Sequence, residues 1–205
     1  ELPQLALNHF FKKGDYRAGY YRDQTLLMAQ GLLSVSNIFA SLYADLDLER
    51  EPMSGGRQMG GHFMTANKNQ SNEWLNLSKI KNHSGDISPT GSQMPRLLGL
   101  AQASKIYRNL KIKNSKNFSD EGNEIAWGTI GNASTSEGMF FEAINAAGVL
   151  QVPMVISIWD DGYGISVSNE EQTTKQSISE ALKGFQRTNT EKGFEILSVN
   201  GWDYL

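Results

Sequence analysis

The sequence predicts an α/β fold, a parallel sheet flanked by helices, and three observations carry that reading. From Glu124 onward the chain alternates apolar strand, helix, strand, helix and strand, the order expected of parallel strands joined by crossover helices. Two stretches, Thr25–Ala44 and Gly91–Leu110, carry apolar residues at helical spacing, which supplies layers to cover a sheet. At 205 residues and 39% hydrophobic content the chain can bury one ordinary core, so a single domain over residues 1–205 is expected.

The elements follow in order. The first twenty residues are mixed and aromatic. Within Thr25–Ala44, Ser34 and Ser36 sit where one helix stops and the next is capped. After Asp45 the pattern gives way to a polar, glycine-bearing stretch, Ser54–Trp74, with no period of either kind; a loop this long inside a compact domain is usually functional or mobile. Gly91–Leu110 returns to helical spacing, with Pro95 tolerated only in its first turn. A polar turn rich in Lys, Asn and Ser follows. Then come a strand at Glu124–Ile130, a small-residue turn at Gly131–Ser134, a helix at Ser136–Leu150, a strand at Pro153–Asp160, a loop at Asp161–Ser166, a helix at Lys175–Arg187 and a strand at Phe194–Asn200. The chain starts at Glu1 rather than Met and ends at Leu205, just after that strand, and is expected to be part of something larger.

Composition excludes several classes. A formal charge of −3 leaves no basic footprint for nucleic acid and no polybasic patch for a membrane surface, so the expected partners are small molecules or proteins. There is no cysteine, which removes disulfides and thiolate chemistry and leaves oxygen or histidine ligands for any metal. No apolar run spans a bilayer and no signal-peptide order opens the chain, so a soluble, intracellular protein is expected, bacterial cytoplasm before mitochondrial matrix. A nicotinamide domain fits poorly, for lack of a G-x-G-x-x-G turn followed by an acid about twenty residues later.

Ligands of open α/β sheets bind at the carboxyl ends of strands. Two such ends stand out. At Ile130-Gly131-Asn132-Ala133-Ser134 small residues let backbone N–H groups approach an anion at a helix start, which suits a diphosphate. Trp159-Asp160-Asp161-Gly162-Tyr163-Gly164 offers carboxylate and carbonyl oxygens at the next strand end, which suits a hard cation such as Mg²⁺. Separately each is an ordinary turn; on consecutive strand ends of one βαβ unit they form a coherent diphosphate–metal pair.

The run from Gly131 to Ser166, with its helix TSEGMFFEAINAA and its closing Tyr163 and Ile165, resembles the thiamine-diphosphate motif of the 2-oxo acid dehydrogenase alpha subunits. The resemblance covers nearly the whole chain from Gly19 and implies a transketolase-like, thiamine-diphosphate-binding fold. In that family an opening acid, the second closing Asn and a backbone carbonyl two residues later bind Mg²⁺; these positions fall on Asn132, Asp161 and the Tyr163 carbonyl. Acid and amide are therefore exchanged here. One negative charge and two oxygen donors survive the exchange, so metal binding is expected to survive too. The motif's third glycine is Ala133, harmless unless its φ must be positive.

Other stretches extend the resemblance. Tyr21 and Arg22 match a Tyr-Arg pair that holds the cofactor diphosphate. Ile87–Gln93, including Ser88 and Thr90, resembles a loop lining the cofactor site; in branched-chain members it also holds K⁺, at positions falling on Ser92 and Gln93. His62, soon after Gly-Arg-Gln-Met at 56–59, resembles a histidine that faces the active site and orients substrate or shuttles a proton. The resemblance implies oxidative decarboxylation of a 2-oxo acid, branched-chain before pyruvate or acetoin, with acyl transfer to a lipoyl-bearing transacylase. It also implies a beta subunit or domain that supplies the acid starting cofactor activation, so that this portion is inactive alone. The family's alpha portion continues past Asn200 into a loop with a further active-site histidine. A non-catalytic assembly domain of the same fold is the competing expectation, supported by the changes at Asn132, Ala133 and Asp161.

Overall fold

The computed structural model describes residues 2–58 and 60–203; Met59 of the Gly-Arg-Gln-Met stretch and both chain ends, Glu1 and Leu205, lie outside them. A four-stranded sheet has the spatial order β2–β1–β3–β4, with β1 at Tyr16–Ala18, β2 at Asn82–His83, β3 at Ala126–Gly131 and β4 at Met154–Trp159. Every pairing in it is parallel, as the strand–helix alternation predicts. Two of the strands, β1 and β2, carry no readable period. They are three and two residues long, and Arg17, Asn82 and His83 are buried polar residues that hide the apolar alternation a strand normally shows.

Helices cover the central strand because its side chains are apolar or small. α4 (Gln93–Asn109) buries Met94, Leu97 and Ala101, and α5 (Gly138–Leu150) buries Phe140, Ala143, Ile144 and Ala147, the i, i+3, i+4, i+7 pattern of a helix seated on a core. Together with Ala18, Ala126 and Ile130 they form the main core. Gly128 lets Leu97 rest on the strand, since a Cβ there would overlap the leucine side chain. Pro95 is the third residue of α4 and displaces no intrahelical donor.

The amino-terminal third packs α1 (Leu2–Phe10) against α2 (Gln24–Ala29), and α3 (Val35–Leu42) follows. The break falls at Gly31, φ +70°. Ser34 caps α3, accepting from the Asn37 backbone N–H at its hydroxyl while its own backbone N–H donates to the Asn37 side-chain oxygen Oδ1. The long polar stretch after Asp45 is organised around Glu51. Its buried carboxylate accepts the N–H groups of Met53, Ser54 and Gly56 and the Ser54 hydroxyl; burial pushes its pKa up, but these donors outweigh it and hold the carboxyl below its ordinary value.

The carboxyl-terminal third departs from expectation. Lys175–Arg187 is not one helix: Lys175 and Gln176 have φ of 64° and 56°, which α-helical backbone excludes. A 3-10 turn at Thr174–Gln176, a short α7 (Ile178–Ala181) and a 3-10 turn at Lys183–Phe185 form instead. Phe194–Asn200 is not a strand either; a single bridge joins Gln186 to Phe194. Phe194 and Ile196 reach the core by their side chains without backbone pairing, while Leu197 and Val199 remain 80% and 82% exposed. The Asp161–Ser166 loop instead holds half of a small hairpin, β5 (Tyr163–Gly164) against β6 (Val167–Ser168), followed by the short α6 (Asn169–Gln172). Among the described residues no helix is long and apolar enough to cross a membrane.

Candidate functional site

A cavity of about 1440 Å³ opens at the carboxyl ends of the strands. Its walls are α1; the turn after β1 with Tyr20, Tyr21 and Arg22; the loop into α4 with Ser88, Thr90 and Gln93; the turn after β3, Gly131 to Ser134; the turn after β4 with Asp160, Asp161 and Tyr163, together with Gln172; and the stretch from Leu197 to Asp203. All ten residues expected to hold the cofactor, Tyr21, Arg22, Ser88, Thr90, Gly131, Asn132, Ala133, Ser134, Asp161 and Tyr163, line this one space.

The β3 turn is tied to its neighbour strand. The Asn132 N–H donates to the Trp159 carbonyl at 3.2 Å, and Ala133 lies in a 3-10 turn without positive φ, so the methyl in place of a glycine costs no backbone strain. Gly164 passes so close to Ala133 that a Cβ would collide with it, which seats the hairpin on the turn. Ile165, next along, has φ +59° and is fully exposed at the cavity. A β-branched residue in left-handed backbone is strained, and such outliers concentrate at functional sites.

Across from Gly131 stands Tyr20, a residue the sequence reading passed over for its neighbour Tyr21. A Cβ on Gly131 would lie 3.5 Å from the Tyr20 hydroxyl, and that hydroxyl is buried with no hydrogen-bond partner among the described residues. Burial pushes its pKa well above the ordinary tyrosine value; Asp23 adds to the rise, and Arg22 lies near enough to oppose it without making a hydrogen bond of normal geometry. An orphaned donor facing a glycine at a cavity wall is a receptor for an acceptor atom supplied from outside. Arg22 stacks on the exposed Tyr21 ring and donates to its hydroxyl at 3.1 Å, which leaves the rest of the guanidinium fork for an anion.

On the β4 side Asp160 accepts from the Gly162 N–H and from the Asn169 side-chain N–H at 2.9 Å each, and Asp161 accepts from the Tyr163 N–H at 3.2 Å. Asn169, also unflagged by sequence, accepts from the Asn132 side-chain N–H at 2.8 Å. Among the described residues no group of three or more His, Cys, Asp or Glu side chains is arranged to hold a metal; the expected donors at Asn132, Asp161 and Tyr163 contain only one such side chain.

His62 is not in the cavity wall, but its Nε2 lies 2.5 Å from Ser88 Oγ, which is. Gln93 donates to the buried Thr129 carbonyl at 3.1 Å, so its amide nitrogen is engaged in the fold. Ser92 precedes α4 without a side-chain capping bond.

Behind the Tyr20–Arg22 turn lies a buried ionic hub. Arg17, fully buried, bonds Asp23 at 2.7 Å and Asp86 at 2.6 Å. Asp23 also accepts from the Tyr20 N–H and the Thr129 hydroxyl, and Asp86 from the Phe63 N–H. Burial opposes the Arg17 charge, but the two carboxylates raise its pKa above the ordinary value. His83 places Nδ1 at 3.3 Å from the guanidinium and Nε2 at 2.7 Å from the Gln30 side-chain oxygen Oε1. Because arginine only donates, Nδ1 must accept and Nε2 must carry the proton. Burial first, then Arg17 and Lys81, push its pKa down to about 2.

Fold and site define an α/β protein with an anion-receptive cleft at its strand ends. The chain belongs to the dehydrogenase E1 component family, whose model matches residues 2–205. It is similar to the 2-oxoisovalerate dehydrogenase subunit alpha of Bacillus subtilis, 28% identical over 93% of this chain and 47% of that protein. It is also similar to the pyruvate dehydrogenase E1 component subunit alpha of Zymomonas mobilis, 31% identical over 56% of this chain and 27% of the relative, and to the mitochondrial one of Dictyostelium discoideum, 23% identical over 82% and 36%. The chain thus spans about half the length of the first of these relatives and less of the others.

Proposed function

We propose that this chain is the diphosphate- and metal-anchoring alpha portion of a thiamine-diphosphate-dependent 2-oxo acid dehydrogenase, built as one transketolase-like domain, residues 1–205, of a longer enzyme. The single observation that carries this reading is the convergence of the strand-end turns after β1, β3 and β4 on one cavity that contains a buried, partnerless tyrosine hydroxyl opposite a glycine.

The residues fit the cofactor's charged end. The Arg22 fork and the hydroxyls of Tyr20 and Tyr21 supply donors for diphosphate oxygens, and Gly131 keeps the wall open. The Asn132 amide oxygen, the Asp161 carboxylate and the Tyr163 carbonyl are hard oxygen donors suited to Mg²⁺. When bound, thiamine diphosphate supplies the carbon nucleophile and electron sink for decarboxylation. His62, outside the cavity wall, reaches it through the Ser88 hydroxyl that its Nε2 bonds, so orienting a substrate or moving a proton runs through that hydroxyl. In the loop before α4 the Gln93 NH₂ is tied to the Thr129 carbonyl, which leaves its amide oxygen as the donor a K⁺ ion there would use. The exposed β4 wall suits completion by a beta subunit or domain, with acyl transfer to a lipoyl-bearing partner. The substrate is a 2-oxo acid, branched-chain in one relative's name and pyruvate in the others'.

Titration calorimetry of the chain with thiamine diphosphate, with and without Mg²⁺, tests the anchor. Metal-dependent binding that disappears in Asp161→Ala is expected; binding indifferent to Mg²⁺ or to that substitution would refute the metal assignment.

A further inference from the structure

Asn132, Asn169 and Asp160 form a chain of hydrogen bonds running from the buried β3 turn to the exposed β4 turn, with links of 2.8 and 2.9 Å. Asn132 is 4% exposed and Asn169 is half-buried, its own N–H donating to the Gly162 carbonyl at 3.0 Å. The order of donors along this chain follows from chemistry alone. An ionised carboxylate only accepts, so Asn169 must turn its NH₂ toward Asp160. Its carbonyl oxygen is then what faces Asn132, and Asn132 must answer with its own NH₂. That leaves the Asn132 side-chain amide oxygen as the free acceptor of a residue in the cavity wall.

We propose that Asn169 is a positioning residue of this site, an amide relay through which Asp160 sets the direction of the Asn132 side chain and so presents its oxygen to the bound cation. The proposal rests on the functional reading above and explains why the acid sits on the β4 turn and the amide on the β3 turn. A carboxylate at 132 would demand the Asn169 NH₂ for itself, turning the Asn169 oxygen against the Asp160 carboxylate.

This gives a test with a sign opposite to simple electrostatics. Adding a negative charge beside a cation should tighten binding; through the relay, Asn132→Asp should instead weaken Mg²⁺-dependent thiamine diphosphate binding by about tenfold, the scale of a lost charge-assisted hydrogen bond. The double variant Asn132→Asp/Asp160→Asn restores compatible donors and is expected to return to within about threefold of the native affinity, a non-additivity that marks coupled residues. Asn169→Ala, which removes the relay without adding charge, should weaken binding by a similar factor. In the cofactor-free protein, ¹⁵N side-chain amide spectra should show the Asn169 NH₂ signals move in Asn132→Asp, and in the double variant they should be those of a hydrogen-bonded but reversed amide, donating to the carboxylate at position 132 rather than to position 160. Measurements are made on the intact protein. Tighter binding in Asn132→Asp, no rescue in the double variant, or native affinity in Asn169→Ala overturns the relay while the cofactor site stands; absence of Mg²⁺-dependent binding in the native protein overturns the functional reading and the relay together.

Discussion

On the β1 side of the cleft, the groups behind the Tyr20–Arg22 turn are fully buried and ionic, with Arg17 held between Asp23 and Asp86. On the β4 side Asp160, Asp161 and Tyr163 are exposed, and the two acids are held by bonds reaching no more than nine residues along the chain. The first wall is set when the chain folds. Its hub fixes three loops at once, since Asp23 ends the Tyr20 turn, Asp86 opens the Ser88 loop and the same Asp86 holds Phe63 beside His62. The second wall is set by local turn chemistry, and its carboxylates remain available to a ligand. For the proposed anchor of an anion and a cation, that division gives preorganisation where the donors are positive and access where they are negative.

Breaking the buried wall should therefore have the largest effect on folding. Arg17→Met leaves Asp23 and Asp86 ionised or protonated without their partner, and losing one member of a buried pair typically costs about 3–5 kcal/mol. Chemical denaturation of this variant should show a loss on that scale. A loss below about 1 kcal/mol would mean that the hub does not organise the β1 wall.

The pH dependence sharpens the same contrast. His83 is neutral in the folded protein, its pKa pushed from 6.5 to about 2, whereas the unfolded chain takes up a proton near the ordinary value. Stability from this group is complete above about pH 6.5 and is lost as pH falls from there toward the folded pKa, because only the unfolded state binds the proton in that window. At pH 5 the loss from His83 alone is about 2 kcal/mol. His83→Asn, whose side-chain oxygen can take the Nδ1 position beside Arg17, should flatten the stability difference between pH 7 and pH 5 by about that amount. Equal pH slopes in the variant and native protein would show that His83 is not held neutral.

The two walls also differ in how much of them the sequence discloses. β3, α5 and β4 are legible because apolar runs and helical spacing are local signals, and Gly131 and Asp161 are legible because they sit at the ends of those runs. Arg17, Tyr20 and Asn169 are not. Arg17 meets Asp86 69 residues away and Asn132 meets Asn169 37 residues away, and nothing periodic marks either partner. Phe194–Asn200 shows the reverse failure: its apolar pattern is real, yet Phe194 and Ile196 satisfy it by packing on the core without joining the sheet. Hydrophobic pattern reports which side chains can be buried, and here Leu197 and Val199 are not; backbone pairing has to be supplied by a neighbouring edge that no local window contains.

The smallest effect on stability is expected where the effect on binding is largest. The Asp161 carboxylate is exposed, and its only bond to the described residues is the Tyr163 N–H two positions on, a turn contact that an amide oxygen at the same position can reproduce. Asp161→Asn should leave the denaturation midpoint unchanged within about 0.5 kcal/mol, as surface substitutions away from buried networks usually do. The same variant should bind Mg²⁺ and thiamine diphosphate more weakly than native, because the donor set then holds no formal charge at 132 or 161 to offset the metal. A large loss of stability would place Asp161 in the framework with Arg17 rather than in the ligand-facing wall, and the division between the walls would fail at that residue.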